Sequence, residues 1–220
     1  MIIVTNRNQL VKASNKSIGR LCQYRRSLHS LLNSRPFVYS HELAAEASVS
    51  AVQVRRDLMA IGYSGSPNRG YDIAELLKSI NDLLDAHKSQ GVALVGVGNL
   101  GRAIIAYVER QRPYLYIAAA FDTDRDKIGR VIHGCRTYHL QDLPQVMREQ
   151  YLPVGIVAVP ASNAQNVAQK LIDAGVRGIL NFAPIILRIP NHIYIENLDW
   201  TVALAKAVYF TRNDENTATT

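Results

Sequence analysis

Hydrophobic residues in the first third of the chain recur at helical spacing. Between residues 17 and 32 they are three or four positions apart along one stripe, at Ile18, Leu21, Tyr24, Leu28, Leu31 and Leu32. This spacing predicts an amphipathic helix, which Pro36 ends because proline cannot donate the backbone hydrogen bond of a helix interior. Phe37 to Tyr39 are then predicted to form a short strand.

Two shorter helices and a hairpin are predicted next. Ser40 can cap a helix over residues 41–47, and the capping box Ser50–Gln53 opens a third helix, which stops at Gly62. The turn-rich segment Tyr63–Tyr71 is typical of a β-hairpin. Three helices followed by a hairpin indicate a winged helix-turn-helix.

The helix that begins at Ser50 is the recognition helix in this order of elements. Its apolar stripe is expected to pack inward: Val54, Leu58 and Ile61. Gln53 and Arg56 then share the outward face, with Arg55 beside them. Their amide and guanidinium groups match base edges in a DNA major groove, as well as phosphates. A merely solvated surface helix is the alternative, which the surrounding helices and hairpin disfavour.

The pattern changes after a helix predicted from the capping box Asp72–Glu75 to about His87. This helix is expected to be a connector that belongs to neither core. Val92–Val95 is a continuous apolar strand, as in a buried parallel sheet. Strands and helices then alternate: strands at 116–121, 154–159, 178–181 and 193–195, and helices at 100–110, from Asp142, from the capping box Ser162–Gln165 to Gly175, and from Asp199 to about Phe210.

A glycine pattern joins the first of these strands to the helix after it. Gly96-Val97-Gly98-Asn99-Leu100-Gly101 matches G-x-G-x-x-G between a strand and a helix, the context that dinucleotide binding requires. The first glycine allows a tight turn, the second lets the backbone approach a pyrophosphate, and the third permits close helix–strand packing. Asp122 lies 21 residues beyond Gly101, where a ribose-binding carboxylate is expected, and it favours NAD over NADP.

These elements predict an α/β fold: an N-terminal winged helix-turn-helix followed by a Rossmann-like doubly wound parallel sheet and a C-terminal helix. The predicted boundaries are 1–73 for the winged helix, with an N-terminal extension at 1–15, 74–89 for the connector helix, 90–198 for the Rossmann domain, 199–211 for the last helix and 212–220 for a disordered tail.

The charge is distributed unevenly between the two parts. Residues 1–72 contain ten Lys or Arg and four Asp or Glu, whereas the other 148 residues contain 15 and 14, so nearly all of the net charge of +7 lies in the first part. This asymmetry indicates an anionic partner for the first part. Two distant cysteines, Cys22 and Cys135, and the lack of a long apolar run argue against a secreted, membrane or zinc-finger protein and favour the cytoplasm.

Catalysis is not expected from this sequence. After the two predicted domains, one helix remains, which is too little for the substrate lobe of an NAD-dependent enzyme, and the six histidines form no group. Two alternatives remain open: an NAD-dependent oxidoreductase with a fused DNA-binding domain, and a transcription factor that senses another nucleotide, such as a coenzyme A derivative.

Several motifs occur in one order between about residues 15 and 210. They are Arg20–Arg26, Ser50–Asp57, Arg69–Tyr71, Gly96–Gly101, Phe121–Asp122, Val159–Ala161, Asn181–Pro184 and Glu196–Asp199. In this combination the chain closely resembles the Rex family of bacterial redox-sensing transcriptional repressors. The resemblance implies a homodimer whose C-terminal helix is swapped into the partner. It also implies binding to an inverted-repeat, A/T-rich operator, which NAD⁺ permits and NADH reverses.

The motifs and the resemblance together predict three sets of site residues, with no catalytic residue and no metal ligand. The set for NADH and NAD⁺ is Gly96, Val97, Gly98, Asn99, Leu100, Gly101, Tyr107, Asp122, Val159, Pro160, Ala161, Asn181 and Phe182. The DNA-binding set is Ser50, Gln53, Arg55, Arg56, Asn68, Arg69 and Tyr71. By the resemblance, Arg26, Tyr107 and Asp199 of the partner subunit surround the nicotinamide and act as the redox switch.

Overall fold

The protein consists of two compact units, Met1–Lys88 and Ser89–Thr220. A computed structural model describes residues 3–4, 10–11, 14–66, 68–84, 90–111 and 115–215. Most of the predicted N-terminal extension, the end of the predicted connector helix and residues 216–220 of the predicted tail lie outside the described residues. None of the helices in the described ranges is long and apolar enough to span a bilayer.

The described residues of the first unit form four helices and two small antiparallel ribbons. In chain order its elements are β1 (Ile3–Val4), β2 (Leu10–Val11), α1 (Asn15–Leu31), β3 (Phe37–Val38), α2 (Ser40–Glu46), α3 (Ala51–Ala60), β4 (Tyr71–Asp72) and α4 (Ile73–Leu84). Strand β1 pairs with β2, and β3 pairs with β4. Of the hairpin predicted at Tyr63–Tyr71, the described residues form one antiparallel bridge, between Ser66 and Gly70, because Tyr71 pairs with Val38 of β3 instead.

The helix caps in this unit differ in part from the predicted ones. The Ser50 hydroxyl accepts a hydrogen bond from the Gln53 backbone N–H at 3.2 Å, as predicted, but the Gln53 amide does not complete the capping box and donates to Asp57 instead. Ser40 is the first residue of α2 rather than its cap. The cap is Tyr39, whose backbone N–H donates to the carboxylate of Glu42, the third residue of the helix, at 2.7 Å, as in a capping box.

Helix α4 is part of the core of the first unit, which corrects its predicted role as a connector. Apolar residues at three- and four-residue spacing give α4 one buried face: Ile73, Leu76, Leu77, Ile80 and Leu83. They belong to the same buried cluster as Leu21, Tyr24 and Leu28 of α1. The winged-helix core therefore extends beyond residue 73.

The second unit is built on a seven-stranded sheet. In chain order its elements are β5 (Gln90–Val95), α5 (Asn99–Gln111), β6 (Leu115–Asp122), β7 (Val131–Ile132), β8 (Cys135–His139), a 3₁₀ turn (Leu140–Asp142), α6 (Leu143–Glu149), β9 (Val154–Val157), α7 (Ala161–Asp173), β10 (Gly178–Asn181), β11 (Tyr194–Asn197) and α8 (Trp200–Glu215). The strand order is β11-β10-β9-β5-β6-β8-β7, and all pairs are parallel except β7 with β8.

This strand order reverses direction at β5, where β6 lies on one side and β9 on the other. Such a reversal creates a crevice at the carboxyl ends of the strands, where open α/β sheets bind ligands. Two buried clusters cover the sheet and include Phe121 and Leu171 in one and Leu94 and Ile105 in the other. The Rossmann-like doubly wound sheet predicted from the sequence is confirmed.

Two local features of the second unit differ from expectation. Helix α7 begins at Ala161, directly after Pro160, so the capping box predicted at Ser162 is wrong. The Gln165 amide instead donates to the Arg188 carbonyl and accepts from the Arg188 backbone N–H, both at 2.9 Å. The short β7–β8 hairpin was not predicted, because β7 has only two residues and no apolar alternation.

Replacement of Ile80 tests whether α4 belongs to the core. The side chain is fully buried (0% exposed), so we expect Ile80→Ala to lower the free energy of unfolding by about 2–5 kcal/mol. Lys78→Ala, at an exposed position of the same helix, should change it by less than about 0.5 kcal/mol. Urea unfolding followed by circular dichroism measures both; equal effects would show that α4 is a detached connector.

Candidate functional sites

Helix α3 has a buried face and an exposed face. Val54 and Leu58 are fully buried, which confirms the predicted inward stripe. Arg55 and Arg56 are exposed, as predicted for a DNA-facing surface. Two apolar side chains share this surface, Val52 (47% exposed) and Met59 (68%), and the sequence prediction did not include them. The helical periodicity that places Val54 and Leu58 in the core also places Val52 and Met59 on the exposed face. The exposure of Val52 and Met59 could therefore have been predicted from the sequence.

The exposed arginines of α3 have different surroundings. The Arg55 guanidinium donates to the Ser40 hydroxyl at 3.0 Å, which ties α3 to the start of α2. Ser40 thus positions an arginine rather than capping its own helix. Ser50 is exposed, and its hydroxyl is occupied as the cap of α3. The arrangement leaves positive charge at the surface near the first turn of α3.

A buried carboxylate lies beneath this surface. Asp57 is only 4% exposed and pairs with Arg20 of α1 through two hydrogen bonds, at 2.6 Å from Nε and 2.7 Å from Nη2. The Tyr24 hydroxyl donates to it at 3.0 Å, and so does the Gln53 side-chain amide. Gln53 is therefore half-buried and turned toward Asp57, instead of lying fully outward as predicted.

The hydrogen bonds around Asp57 keep it ionised. Burial alone would raise the pKa of Asp57, but the hydrogen bonds from Arg20, Gln53 and Tyr24 outweigh burial and lower it. The pKa of Arg20 is raised mainly by its bond to Asp57. Burial raises the pKa of Tyr24, as does its bond to the carboxylate. The pair is therefore charged and Tyr24 is neutral at neutral pH.

The segment after α3 places its predicted residues in two environments. Asn68 and Arg69 are exposed at the turn that Gly70 closes with a φ of 76°. Tyr71 is only 8% exposed and lies in the core, and its contact with DNA stays a prediction. Its side chain points inward because β4 pairs with β3 and alternates direction, so its ring packs 6.2 Å from that of Tyr63.

The glycine loop of the second unit has the geometry that a pyrophosphate site needs. Gly96 has a φ of 101°, and a Cβ there would lie 2.3 Å from the Ala158 carbonyl oxygen. A Cβ at Gly101 would lie 1.9 Å from the Gly96 carbonyl oxygen, so both positions require glycine. A Cβ at Gly98 would meet no described atom within 4 Å. Space is therefore left beside the second glycine, where the backbone must approach a phosphate.

The start of α5 supplies further groups at this loop. The first turn of α5 begins with Asn99 and Leu100, which are both exposed. The N-terminus of a helix favours negative charge, so this turn is suited to a phosphate. Val97 is buried, and its backbone N–H donates to Asp122 Oδ2 at 2.8 Å. The structure therefore brings Asp122 to the glycine loop, as the spacing predicted.

The Asp122 carboxylate is held by three donors. Besides Val97, the Asp124 backbone N–H donates at 2.9 Å and the Lys127 ammonium at 3.2 Å. Burial would raise the pKa of Asp122, but these bonds lower it, so it is ionised. Lys127 also pairs with Asp124 at 3.2 Å, and the sequence prediction did not include it. Lys127 lies five residues after Asp122, which ends its strand, and this spacing was the signal in the sequence that could have predicted the pair.

A cavity of about 400 Å³ adjoins Lys127. It is lined by Arg102, Asp124, Asp126, Lys127, Arg130, Val131 and Ile132. Three of these side chains are cationic and two are anionic, so the lining carries a net positive charge. Its cations are suited to an anionic or hydroxyl-rich ligand.

The remaining strand ends contribute less directly. Val159 lies against the glycine loop, since a Cβ on Gly96 would be 2.8 Å from its Cγ1, and Pro160 and Ala161 lead into α7. Asn181 is buried, and its amide bonds to Ala183, Ile185 and Asn197. Its side chain therefore shapes the loop after β10. Phe182, half-buried, packs against the cluster that contains Leu94.

The three predicted switch residues occupy separate elements. Arg26 is exposed on α1, and Tyr107 is exposed on α5. Asp199 caps α8, where its Oδ1 accepts from the Thr201 backbone N–H at 2.9 Å and from Val202. The Thr201 hydroxyl also donates to Oδ1, at 2.5 Å; this bond is the main cause of the lowered pKa of Asp199, and the two backbone bonds add to it.

Helix α8 exposes an unusual amount of apolar surface. Its exposed large side chains are Trp200, Val202, Leu204, Val208, Tyr209 and Phe210. One face of the helix forms an open groove along Thr201, Leu204, Ala205, Val208 and Tyr209. Contiguous exposed apolar surface of this kind marks an interaction site.

Comparison with known proteins assigns the family. Residues 87–185 match the CoA binding domain family, and residues 12–58 match a family of DNA-binding protein N-termini. The redox-sensing transcriptional repressor Rex of Roseiflexus sp. (strain RS-1) is 38% identical over 202 residues, covering 91% of this chain and 92% of the relative. The chain belongs to the Rex family.

Solved Rex structures share its fold. RSP, a Rex-family repressor, in complex with β-NAD⁺ and operator DNA superposes with a TM-score of 0.85 at 29% identity, covering 94% of this chain and 95% of RSP. Its complex with β-NADH gives 0.82, covering 94% and 98%. The predicted combination of a winged helix and a Rossmann-like sheet is thus that of the Rex family.

Proposed function

We propose that the chain is a redox-sensing transcriptional repressor that binds operator DNA with its first unit and NAD⁺ or NADH with its second. The observation that supports this most strongly is the glycine loop, which requires glycine at 96 and 101 and leaves space at Gly98. The same chain presents Arg55 and Arg56 on an exposed helix. Rex-family membership supports the combination, because RSP is described with both kinds of ligand.

The residues around the glycine loop fit a dinucleotide. The backbone from Gly98 to Gly101 would hold the pyrophosphate, and Asp122 would accept from the adenosine ribose. Three of the roughly four acceptor sites of that carboxylate are used by Val97, Asp124 and Lys127, so one remains for a hydroxyl. The rest of the ligand would be bordered by Val159, Pro160, Ala161, Phe182 and Tyr107.

The DNA-binding surface would consist of α3 and the turn after it. The part of α3 that would enter the major groove carries Ser50, Gln53, Arg55 and Arg56. The turn that would lie near the minor groove carries Asn68 and Arg69. Arginine and amide groups can contact both phosphates and base edges. The proposed operator is an inverted repeat with an A/T-rich centre, which matches a twofold-symmetric dimer. Operator binding would place the protein with the chromosome, in the cytoplasm.

The dimer would form through α8. Its exposed apolar residues would be buried by crossing into the Rossmann-like unit of a second copy. Burial of apolar surface contributes about 25 cal/mol per Å², so a helix of this composition can support a stable association. Swapping would also bring Asp199 of the partner subunit toward the site that Arg26 and Tyr107 are proposed to border.

The redox switch would use the charge of the nicotinamide ring. NAD⁺ and NADH differ by one positive charge there, and a ligand shifts a conformation only by its differential affinity for the two states. A change of about 100-fold in DNA affinity requires a coupling of about 2.7 kcal/mol. Rearranged charged hydrogen bonds among Arg26, Tyr107 and Asp199 could supply it. In this proposal NADH is sensed rather than consumed, so the protein is a regulator and not an enzyme.

A second candidate ligand is a coenzyme A derivative, which the family match over residues 87–185 favours. Related glycine loops bind the phosphates of either molecule through backbone N–H groups. Competition of a coenzyme A derivative against NADH separates the two candidates.

Operator binding tests the proposed function directly. An inverted-repeat duplex, selected from a random library by the purified protein, is titrated at fixed salt because phosphate contacts make affinity salt-dependent. We expect NADH to release the DNA at concentrations at which NAD⁺ does not. Binding that ignores both dinucleotides would refute redox sensing and would direct attention to the coenzyme A alternative.

Replacement of Gly98 tests the proposed pyrophosphate site. The φ of Gly98 is not positive, and a Cβ there would lie in open space, so Gly98→Ala should fold normally. Its methyl group would occupy the space that the pyrophosphate needs, and we expect NADH to bind at least about tenfold more weakly, or ~1.4 kcal/mol. Calorimetric titration measures this effect, with Gly19→Ala on α1 as the control at another open position. An unchanged NADH Kd for Gly98→Ala would be evidence against this site.

A charge on α8 tests the proposed dimer. Leu204→Arg would place a cation in the buried interface, and we expect the dimer to dissociate at least about 100-fold more readily, which is ~2.7 kcal/mol. Lys206→Glu, on the same helix but outside the groove, should leave the dimer intact. Light scattering on a sizing column gives the masses, and a Leu204→Arg protein that remains dimeric would exclude α8 as the interface.

A further inference from the structure

The Asp57 carboxylate has all of its acceptor sites filled. Oδ2 accepts from Arg20 Nε and the Tyr24 hydroxyl, and Oδ1 accepts from Arg20 Nη2 and Gln53 Nε2. An ionised carboxylate has about four such sites, so it is saturated. Because Asp57 is only 4% exposed, a missing donor would leave an unpaired buried acceptor, which costs free energy.

This saturation determines how the Gln53 amide is oriented. A carboxylate only accepts hydrogen bonds, so the nitrogen of the amide faces Asp57 and the carbonyl oxygen faces away from it. A flipped amide would place two oxygens against each other at the 3.0 Å that now separates Nε2 from Oδ1. When the amide hydrogen that points away from the carbonyl oxygen is the one that donates to Asp57, the second hydrogen lies beside that oxygen. Gln53 therefore offers one acceptor and one donor, side by side, away from Asp57.

The position of Gln53 makes this orientation relevant to DNA. Gln53 lies in the first turn of α3, whose cap is Ser50, and residues at the start of a recognition helix contact base edges. Arg55 and Arg56, which follow it, are exposed on the same helix. Adenine presents a donor and an acceptor side by side in the major groove, and a glutamine amide matches this pair when its own acceptor and donor are correctly ordered.

We propose that Asp57 is a specificity-determining positioning residue, which fixes the Gln53 amide so that it selects adenine at one position of each operator half-site. This inference rests on the proposed function, because it requires operator binding through α3. Asp57 does not contact DNA itself. It acts through Gln53, while its pair with Arg20 fixes α3 against α1.

The test measures base preference rather than affinity alone. Each base pair of the selected half-site is changed in turn, and Kd is determined for full-length wild type, Gln53→Ala and Asp57→Asn. We expect one A·T position whose replacement weakens wild type by about 10–100-fold, in the range of one bidentate contact. In Gln53→Ala and Asp57→Asn this preference should fall to within about threefold. Asparagine can accept or donate, so it no longer imposes one orientation on Gln53.

A stability-matched control separates positioning from folding. Ile80→Ala destabilises the same unit without touching Asp57 or Gln53, and it should keep the full adenine preference. The preference is a ratio of two Kd values for one variant, so a partly unfolded sample does not change it. Full preference in Asp57→Asn, or an equal loss in Ile80→Ala, would overturn the proposal.

A second measurement applies if Asp57→Asn does not fold. Side-chain amide resonances of Gln53 in the wild type are assigned from their absence in Gln53→Met. We expect one amide proton to exchange slowly with water, because it donates to Asp57, and the other to exchange freely. Two freely exchanging protons would overturn the proposal. A wild type that selects no operator at all would instead refute the proposed function.

Discussion

The buried Asp57 carboxylate is the constraint on which the first unit depends. A charge in an apolar core is tolerated when it is paired and its acceptor sites are filled. Asp57 meets this condition by drawing Arg20 and Tyr24 from α1 and Gln53 from its own helix. The direction of α3 is thereby fixed, and Arg55 and Arg56 remain at the surface. One interaction thus links the interior of the winged helix to the surface that is proposed to face DNA.

Space, rather than charge, is the corresponding constraint in the second unit. The backbone at Gly96 approaches Ala158, and Gly101 approaches Gly96, so closely that neither position admits a Cβ. These contacts bring the start of α5 against the end of β5 and leave room beside Gly98. Asp122 and Lys127 then provide an ionised pair next to the loop. A dinucleotide would find phosphate-binding backbone and a ribose acceptor in one place.

Local spacing allowed much of this architecture to be predicted from the sequence. The inward stripe of α3 and the glycine pattern both depend on residues only a few positions apart, and the structure agrees with both. Features that depend on distant partners were missed. Helical spacing predicted that Gln53 faces outward. Its amide instead turns toward Asp57, which is held in the interior by Arg20, 37 residues away along the chain. The burial of Tyr71 and of α4 was missed for the same reason, since it depends on contacts with β3 and α1.

Opposed binding of operator DNA and NADH is the central property proposed for this protein. Coupling between two sites is reciprocal, so each ligand must weaken the other by the same factor. The most direct measurement is the Kd for NADH with and without saturating operator duplex at one salt concentration. We expect operator DNA to raise that Kd by the factor by which NADH raises the Kd for operator, while the Kd for NAD⁺ does not rise. A Kd for NADH that is the same with and without operator would contradict the proposed function.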